Sequence, residues 1–161
     1  MAGADGASAR PAAAGPLVLD TNIVLDLLVF DDPATHRLKQ LLAGATVYWL
    51  ATGAMRGELQ RVLAYRPIAA RLVVRGLDVA GVLAQFDGLS HWCDAPTPAT
   101  IRCRDRDDQI FIDLAVAHRA TLLSKDLAVL GLDTRLARVG ARALAPGLDW
   151  PVLPGEKAGV Y

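Results

Sequence analysis

Leu17-Val18-Leu19-Asp20-Thr21-Asn22 is a short run of aliphatic residues that ends on a carboxylate and passes into potential helix caps. Three consecutive aliphatic residues suit a strand buried on both faces, as in a parallel sheet. An acid just past such a strand points into the crevice where open parallel sheets bind their ligands. Thr21 or Asn22 can then cap a helix whose buried face carries Ile23, Val24, Leu27 and Leu28.

Similar units recur along the chain. Thr46-Val47-Tyr48-Trp49-Leu50 is rich in β-formers and predicts a second strand. Thr52 predicts the cap of a helix through Tyr65, which Pro67 breaks. Helical stretches are expected at 68–74 and 79–89, then a short strand near His91-Trp92-Cys93 and a loop over 94–106. A helix over 107–119 follows, then a strand Thr121-Leu122-Leu123-Ser124. Residues 127–139 are expected to be helical but interrupted at Gly131, and Arg142-Ala143-Leu144 reads as a last strand. This alternation predicts an α/β fold, a three-layer sandwich with a mostly parallel central sheet flanked by helices. One domain of 17–146 is expected, between a disordered arm of Ala, Gly, Pro and Ser over 1–16 and a Pro- and Gly-rich tail over 147–161.

Composition narrows the function classes. The 161 residues are 53% hydrophobic, enough for a sizeable core, and 17 basic residues cancel 17 acidic ones. Net charge therefore does not advertise a polyanion partner; its distribution leaves two readings open, phosphate contact or a solvated helix face in an arginine-rich composition. Arg56, Arg61, Arg66, Arg71 and Arg75 fall in a stretch where Glu58 is the only acid, and Arg102, Arg104 and Arg106 form a second cluster. The planar guanidinium fork suits phosphate. Cys93 and Cys103 make neither a disulfide framework nor a zinc-site spacing. No apolar run approaches the ~18 residues of a membrane span, and no signal peptide is evident, so a cytoplasmic location is expected.

Four acids stand beside short apolar runs: Asp20, Glu58, Asp108 and Asp126. Asp20 and Asp126 each follow a predicted strand, and Asp108 lies in the first turn of a predicted helix. If those two strands are neighbours, all four can approach one centre. Carboxylates brought together repel unless a cation joins them, and hard oxygen ligands suit Mg²⁺ or Mn²⁺. Such a site favours phosphodiester hydrolysis with water as the attacker, since no Ser or Cys is paired with a His. Thr21, Asn22, Asp107 and Ser124 are short polar groups placed to orient the ligands. Arg56, Arg61, Arg104, Arg106 and Lys125 are the candidate contacts to phosphate. Each acid also has an ordinary reading, as a helix cap or a solvated ion-pair partner. Asp107 remains an alternative to Asp108, with Asp105 a weaker one.

These motifs together resemble the PIN-domain ribonuclease family. Val18-Leu19-Asp20-Thr21-Asn22 resembles its opening strand and first acid, and Glu58-Leu59-Gln60-Arg61-Val62-Leu63 its second acidic motif. Arg104-Asp105-Arg106-Asp107-Asp108-Gln109-Ile110-Phe111 resembles its third, and Leu122-Leu123-Ser124-Lys125-Asp126 its fourth. The nearest likeness is to the bacterial toxin subgroup of toxin–antitoxin pairs, although Lys125 stands where that subgroup often has glycine. The resemblance implies a Mg²⁺- or Mn²⁺-dependent endoribonuclease acting on single-stranded RNA, often a homodimer, inhibited by a cognate antitoxin. The alternatives are a non-catalytic RNA- or protein-binding module, or an RNA-processing nuclease without a toxin role. A receiver domain or an aspartate-nucleophile phosphatase fits less well: Asn22 stands where the phosphatase wants a second Asp, and the strand over 46–50 ends without an acid.

Overall fold

The computed structural model describes residues 15–147. Five strands, β1 (Gly15–Leu19), β2 (Val47–Ala51), β3 (Ser90–Trp92), β4 (Thr121–Leu123) and β5 (Arg142–Leu144), form one sheet in the order β3-β2-β1-β4-β5. All four pairings are parallel. β1 lies at the centre, and its aliphatic run is buried on both faces: Leu17, Val18 and Leu19 are each at most 1% exposed. Leu122 and Leu123 of β4 are fully buried beside it. Leu19 is in register with Leu123, so the two chains leave the sheet together.

The helices are α1 (Thr21–Leu28), α2 (His36–Ala43), α3 (Gly53–Leu63), α4 (Arg66–Val74), α5 (Val79–Leu89), α6 (Gln109–His118), α7 (Leu127–Leu130) and α8 (Asp133–Ala137). Single 3-10 turns at Pro33–Thr35 and Arg106–Asp108 precede α2 and α6. From β1 the chain steps outward through β2 to β3, then crosses back past β1 to β4 and β5. Right-handed crossovers in opposite directions lay helices on opposite faces, which gives the sandwich. α1, α3 and α5 pack together on one side, and α6 packs on β1 and β4. Trp49 of β2 meets Phe86 of α5 edge-on, with ring centroids 4.9 Å apart.

Several local expectations need correction. The cap of α1 is neither Thr21 nor Asn22 but Asp20, whose Oδ1 accepts the Ile23 N–H at 2.9 Å. Pro67 does not merely end a helix. α3 stops at Leu63, and Pro67 sits in the first turn of α4, where its missing N–H costs nothing. The predicted helix over 107–119 begins later, at Gln109, so Asp108 belongs to the preceding 3-10 turn. The stretch over 127–139 is interrupted at Gly131 as expected, giving two short helices, of which the second ends at Ala137. Gly15 and Pro16, placed in the arm, belong to β1, and the rest of the predicted arm lies outside the described residues. The predicted tail also lies outside them, apart from Gly147. Among the described residues, no helix is long and apolar enough to cross a membrane.

Candidate active site

β1 and β4 run to the edge of the sheet where the chain order reverses, and this switch point opens a crevice beyond the strands' carboxyl ends. Asp20 enters it directly after β1, with its backbone N–H bonded to the Leu123 carbonyl of β4 at 3.1 Å. Asp126 enters three residues after β4. Its Oδ1 caps α7 by accepting the Ala128 N–H at 2.8 Å, and its own N–H donates to Ser124 Oγ at 3.0 Å. Glu58 reaches in from α3. Asp108 arrives from the junction of the 3-10 turn and α6, making no side-chain cap bond there. The four carboxylates, with Thr21, Asn22 and Phe111, line one cavity of about 100 Å³.

The burial and mutual repulsion of these acids show in their protonation. Asp20 is 4% exposed. Burial raises its pKa, while hydrogen bonds from the Ser124 hydroxyl and the Ile23 N–H pull it back down. Glu58 is also raised, chiefly by burial, against a hydrogen bond with the Thr21 side chain, and the Asp107 charge pushes it further up. Asp108 is raised to about 7 by burial, by its contact with Asp126 and by the charges of Asp126, Asp105 and Asp20. Its Oδ2 is buried and has no hydrogen-bond partner among the described residues. A buried carboxylate oxygen without a donor is costly unless something positive or protic meets it.

One oxygen from each of Asp105, Asp108 and Asp126 lies within 4.8 Å of the others. Asp108 and Asp126 therefore belong both to this trio and to the cavity lined by four acids. Asp105 is closer to the centre than its weak place in the sequence reading suggested. It caps the 3-10 turn by accepting the Asp107 N–H at 2.9 Å, while Asp107 lies outside the trio and shares a cavity wall with Glu58. An all-oxygen set with an unpartnered buried oxygen fits a hard divalent cation.

The remaining candidates divide. Ser124 is fully buried and donates to Asp20 Oδ2, and Thr21 and Asn22 line the acid cavity. Arg61, Arg106 and Asp107 line an adjoining cavity that shares Glu58. Arg104 lies apart, in an open groove with Arg102 and Arg135. Arg56 does not face the acids: its guanidinium forms a two-pronged pair with Asp87 at 2.8 and 3.0 Å. Lys125 is paired with Asp26.

Gln109 had no assigned part in the sequence reading. It is buried, its Oε1 accepts the Cys103 N–H at 2.6 Å, and its Nε2 donates to the Ile101 carbonyl at 3.0 Å and to Asp113 Oδ1 at 2.8 Å. The same Asp113 oxygen accepts the Ala99 N–H at 2.9 Å. Together they clamp the loop before Asp105 onto α6. A polar residue at the head of an apolar helix was the available signal.

No curated protein matches the chain. Among solved structures, the fold is similar to a chain of VapBC2 from Rickettsia felis, solved bound to a DNA fragment from their promoter. The TM-score is 0.55 at 14% identity, over 81% of this chain and 98% of that one. The sequence profile of the PIN domain matches residues 16–128, from the start of β1 through Asp126. That match takes in well over half of the sequence and all four acidic motifs, and the chain belongs to the PIN domain family.

Proposed function

We propose that this protein is a metal-dependent endoribonuclease that hydrolyses phosphodiester bonds of single-stranded RNA, and that it is the toxin of a toxin–antitoxin pair. The observation that carries the reading is the convergence of Asp20, Glu58, Asp108 and Asp126 on one small cavity at the sheet's switch point. PIN domains are generally nucleases, and a cluster of acids at the sheet's switch point supports that activity here.

Asp20, Glu58, Asp108 and Asp126 are the residues that would hold Mg²⁺ or Mn²⁺, with Asp105 at the rim. When bound, such an ion lowers the pKa of water and neutralises charge on phosphate oxygens. The chain's own groups prepare the site. Ser124 and the Ile23 N–H fix the Asp20 carboxylate, and Thr21 holds Glu58. Asp108, raised to about 7 by burial and its acidic neighbours, would give up its proton on holding the cation, so that metal binding near neutral pH releases a proton. Arg61 and Arg106 stand beside Glu58, placed for RNA phosphates.

The toxin assignment is supported by the likeness of the four motifs to the bacterial toxin subgroup and by the fold shared with the VapBC2 chain. A cognate antitoxin, a homodimer and a cytoplasmic site of action belong to the same reading. The test is incubation of the protein with end-labelled single-stranded RNA in Mg²⁺, Mn²⁺ or chelator, beside an Asp20→Asn, Asp108→Asn double variant. Cleavage that needs metal and vanishes in the variant is the expected result. Cleavage that survives both chelator and variant would overturn the mechanism, and binding without any cleavage would leave a non-catalytic module.

A further inference from the structure

Beside the acid cavity, a cleft runs between α3 and the Arg106–Asp108 turn and encloses about 300 Å³. Glu58 and Val62 line both cavities, so the cleft adjoins the acids. We infer that this cleft is a subsite for one nucleotide of single-stranded RNA, the neighbour of the cut phosphate, with its base stacked on Tyr65 and its base edge read by Asp107. The inference rests on the nuclease reading and adds to it a base platform and a specificity-determining residue.

Size comes first: about 300 Å³ is at the lower end of the ~300–1,000 Å³ of small-ligand pockets. Position follows. Glu58, Arg61, Val62 and Tyr65 succeed one another along one face of α3 and its C-terminal turn, so Tyr65 stands about 10 Å from Glu58 at ~1.5 Å per residue.

Chemistry decides the class of ligand. Tyr65 is 61% exposed and has no ring contact among the described residues, so a face of its ring is open on the cleft. Bases of single strands stack on such side chains. Arg56 and Arg142 are committed to Asp87 and Asp133, but Arg61 and Arg106 have no such clamp among the described residues. They are available to phosphate. Val62 and Ile110 supply an apolar floor. Asp107 is the group a bare phosphate site would not want. A carboxylate accepts two hydrogen bonds side by side from the N1–H and exocyclic amine of guanine, and only one from the amine of cytosine or adenine or from the N3–H of uracil.

The experiment uses the full chain and labelled single-stranded RNA hexamers that differ at one position. Binding is read by anisotropy in chelator and cleavage in Mg²⁺ or Mn²⁺, with Asp20→Asn as the catalytic control. Tyr65→Ala is expected to weaken binding roughly fivefold to a hundredfold, while Tyr65→Phe, which keeps the ring, binds as the parent does. Asp107→Asn is expected to flatten a preference for guanine over the other bases at one position beside the cut. Circular dichroism and thermal midpoints establish that the variants are folded. Cleavage that needs metal and Asp20 but is indifferent to Tyr65 and Asp107 would overturn the subsite and leave the nuclease standing. Tyr65-dependent binding without cleavage would leave a base platform but overturn the nuclease reading and with it the place beside a cut phosphate, and no RNA binding at all would overturn both.

Discussion

The hydroxyl of Ser124 donates to the carboxylate of Asp20 across the boundary between β4 and β1. Both groups are buried, and the same hydroxyl accepts the Asp126 N–H. One oxygen thus ties together two acids that lie 106 positions apart in sequence (126 − 20). Ser124→Ala removes a donor from a buried carboxylate and an acceptor from a backbone N–H. The expected cost is about 1.5–3 kcal/mol of stability, read by urea unfolding. Without the Ser124 bond, which lowers it, the Asp20 pKa rises further. The acid limb of the pH–rate profile is therefore expected to move to higher pH, with cleavage down roughly 10–100-fold, as for other groups that orient metal ligands.

Asp108 makes a separate prediction about pH. Its carboxyl titrates at about 7 in the folded chain, against an ordinary value of 3.8. Between those values the folded form holds a proton that the unfolded form has lost. Its contribution to stability is therefore full below about 4 and is lost as pH rises through about 7. In chelator, the thermal midpoint of the parent relative to Asp108→Asn is expected to fall across that window. Above pH 7 the variant is expected to be the more stable of the two, and inactive. Mn²⁺ at pH 7.5 is expected to raise the midpoint of the parent and leave the variant nearly unmoved. A difference between parent and variant that stays flat across pH would contradict the assigned titration.

How far the chain could be read in advance follows from the range of each interaction. The strands at Leu17–Leu19 and Leu122–Leu123 were legible because a strand buried on both faces must be aliphatic throughout. Asp20 and Asp126 were legible because each follows such a run. That β1 and β4 are neighbours was left as a condition, since pairing between distant strands leaves no local mark. Thr21 and Asn22 were named as caps because both residue types can cap, but so can aspartate, and Asp20 came first. The boundary at Asp108 slipped because acids at a helix start look alike in a 3-10 turn and in a first α-turn. Gln109 carries no legible role in the sequence, and Asp105 only a weak one, because what they do depends on where the loop before α6 folds back.

Gln109 gives the third prediction. Its amide satisfies the Cys103 N–H and the Ile101 carbonyl, and so holds the loop that delivers Asp105 to Asp108 and Asp126. Gln109→Leu is similar in length but leaves both backbone groups buried and unpaired. It is expected to cost about 1–3 kcal/mol for each group that water cannot reach. Hydrogen exchange is expected to quicken at Cys103 and at Ala99, whose partner Asp113 also loses the Gln109 bond. Cleavage is expected to need more Mn²⁺ for half its maximal rate. Unchanged exchange at Cys103 would show that the loop is held by something else.

The arginines separate by what already holds them. Arg56 is clamped to Asp87 on an exposed surface, where water and salt screen the pair and it adds little to stability. Spending that guanidinium on RNA would strand Asp87, so Arg56→Ala is expected to change RNA affinity little. Arg61 and Arg106 line the cleft beside Glu58 without such a clamp among the described residues. A side chain that neutralises one phosphate of a single strand contributes about 0.7 to the slope of log affinity against log salt. Arg61→Ala and Arg106→Ala are each expected to weaken binding and to flatten that slope by about this amount, and the double variant by about twice as much. Arg56→Ala is expected to leave the slope as it is. Equal slopes for all three variants, measured by anisotropy over a salt series, would place the RNA on some other face of the molecule.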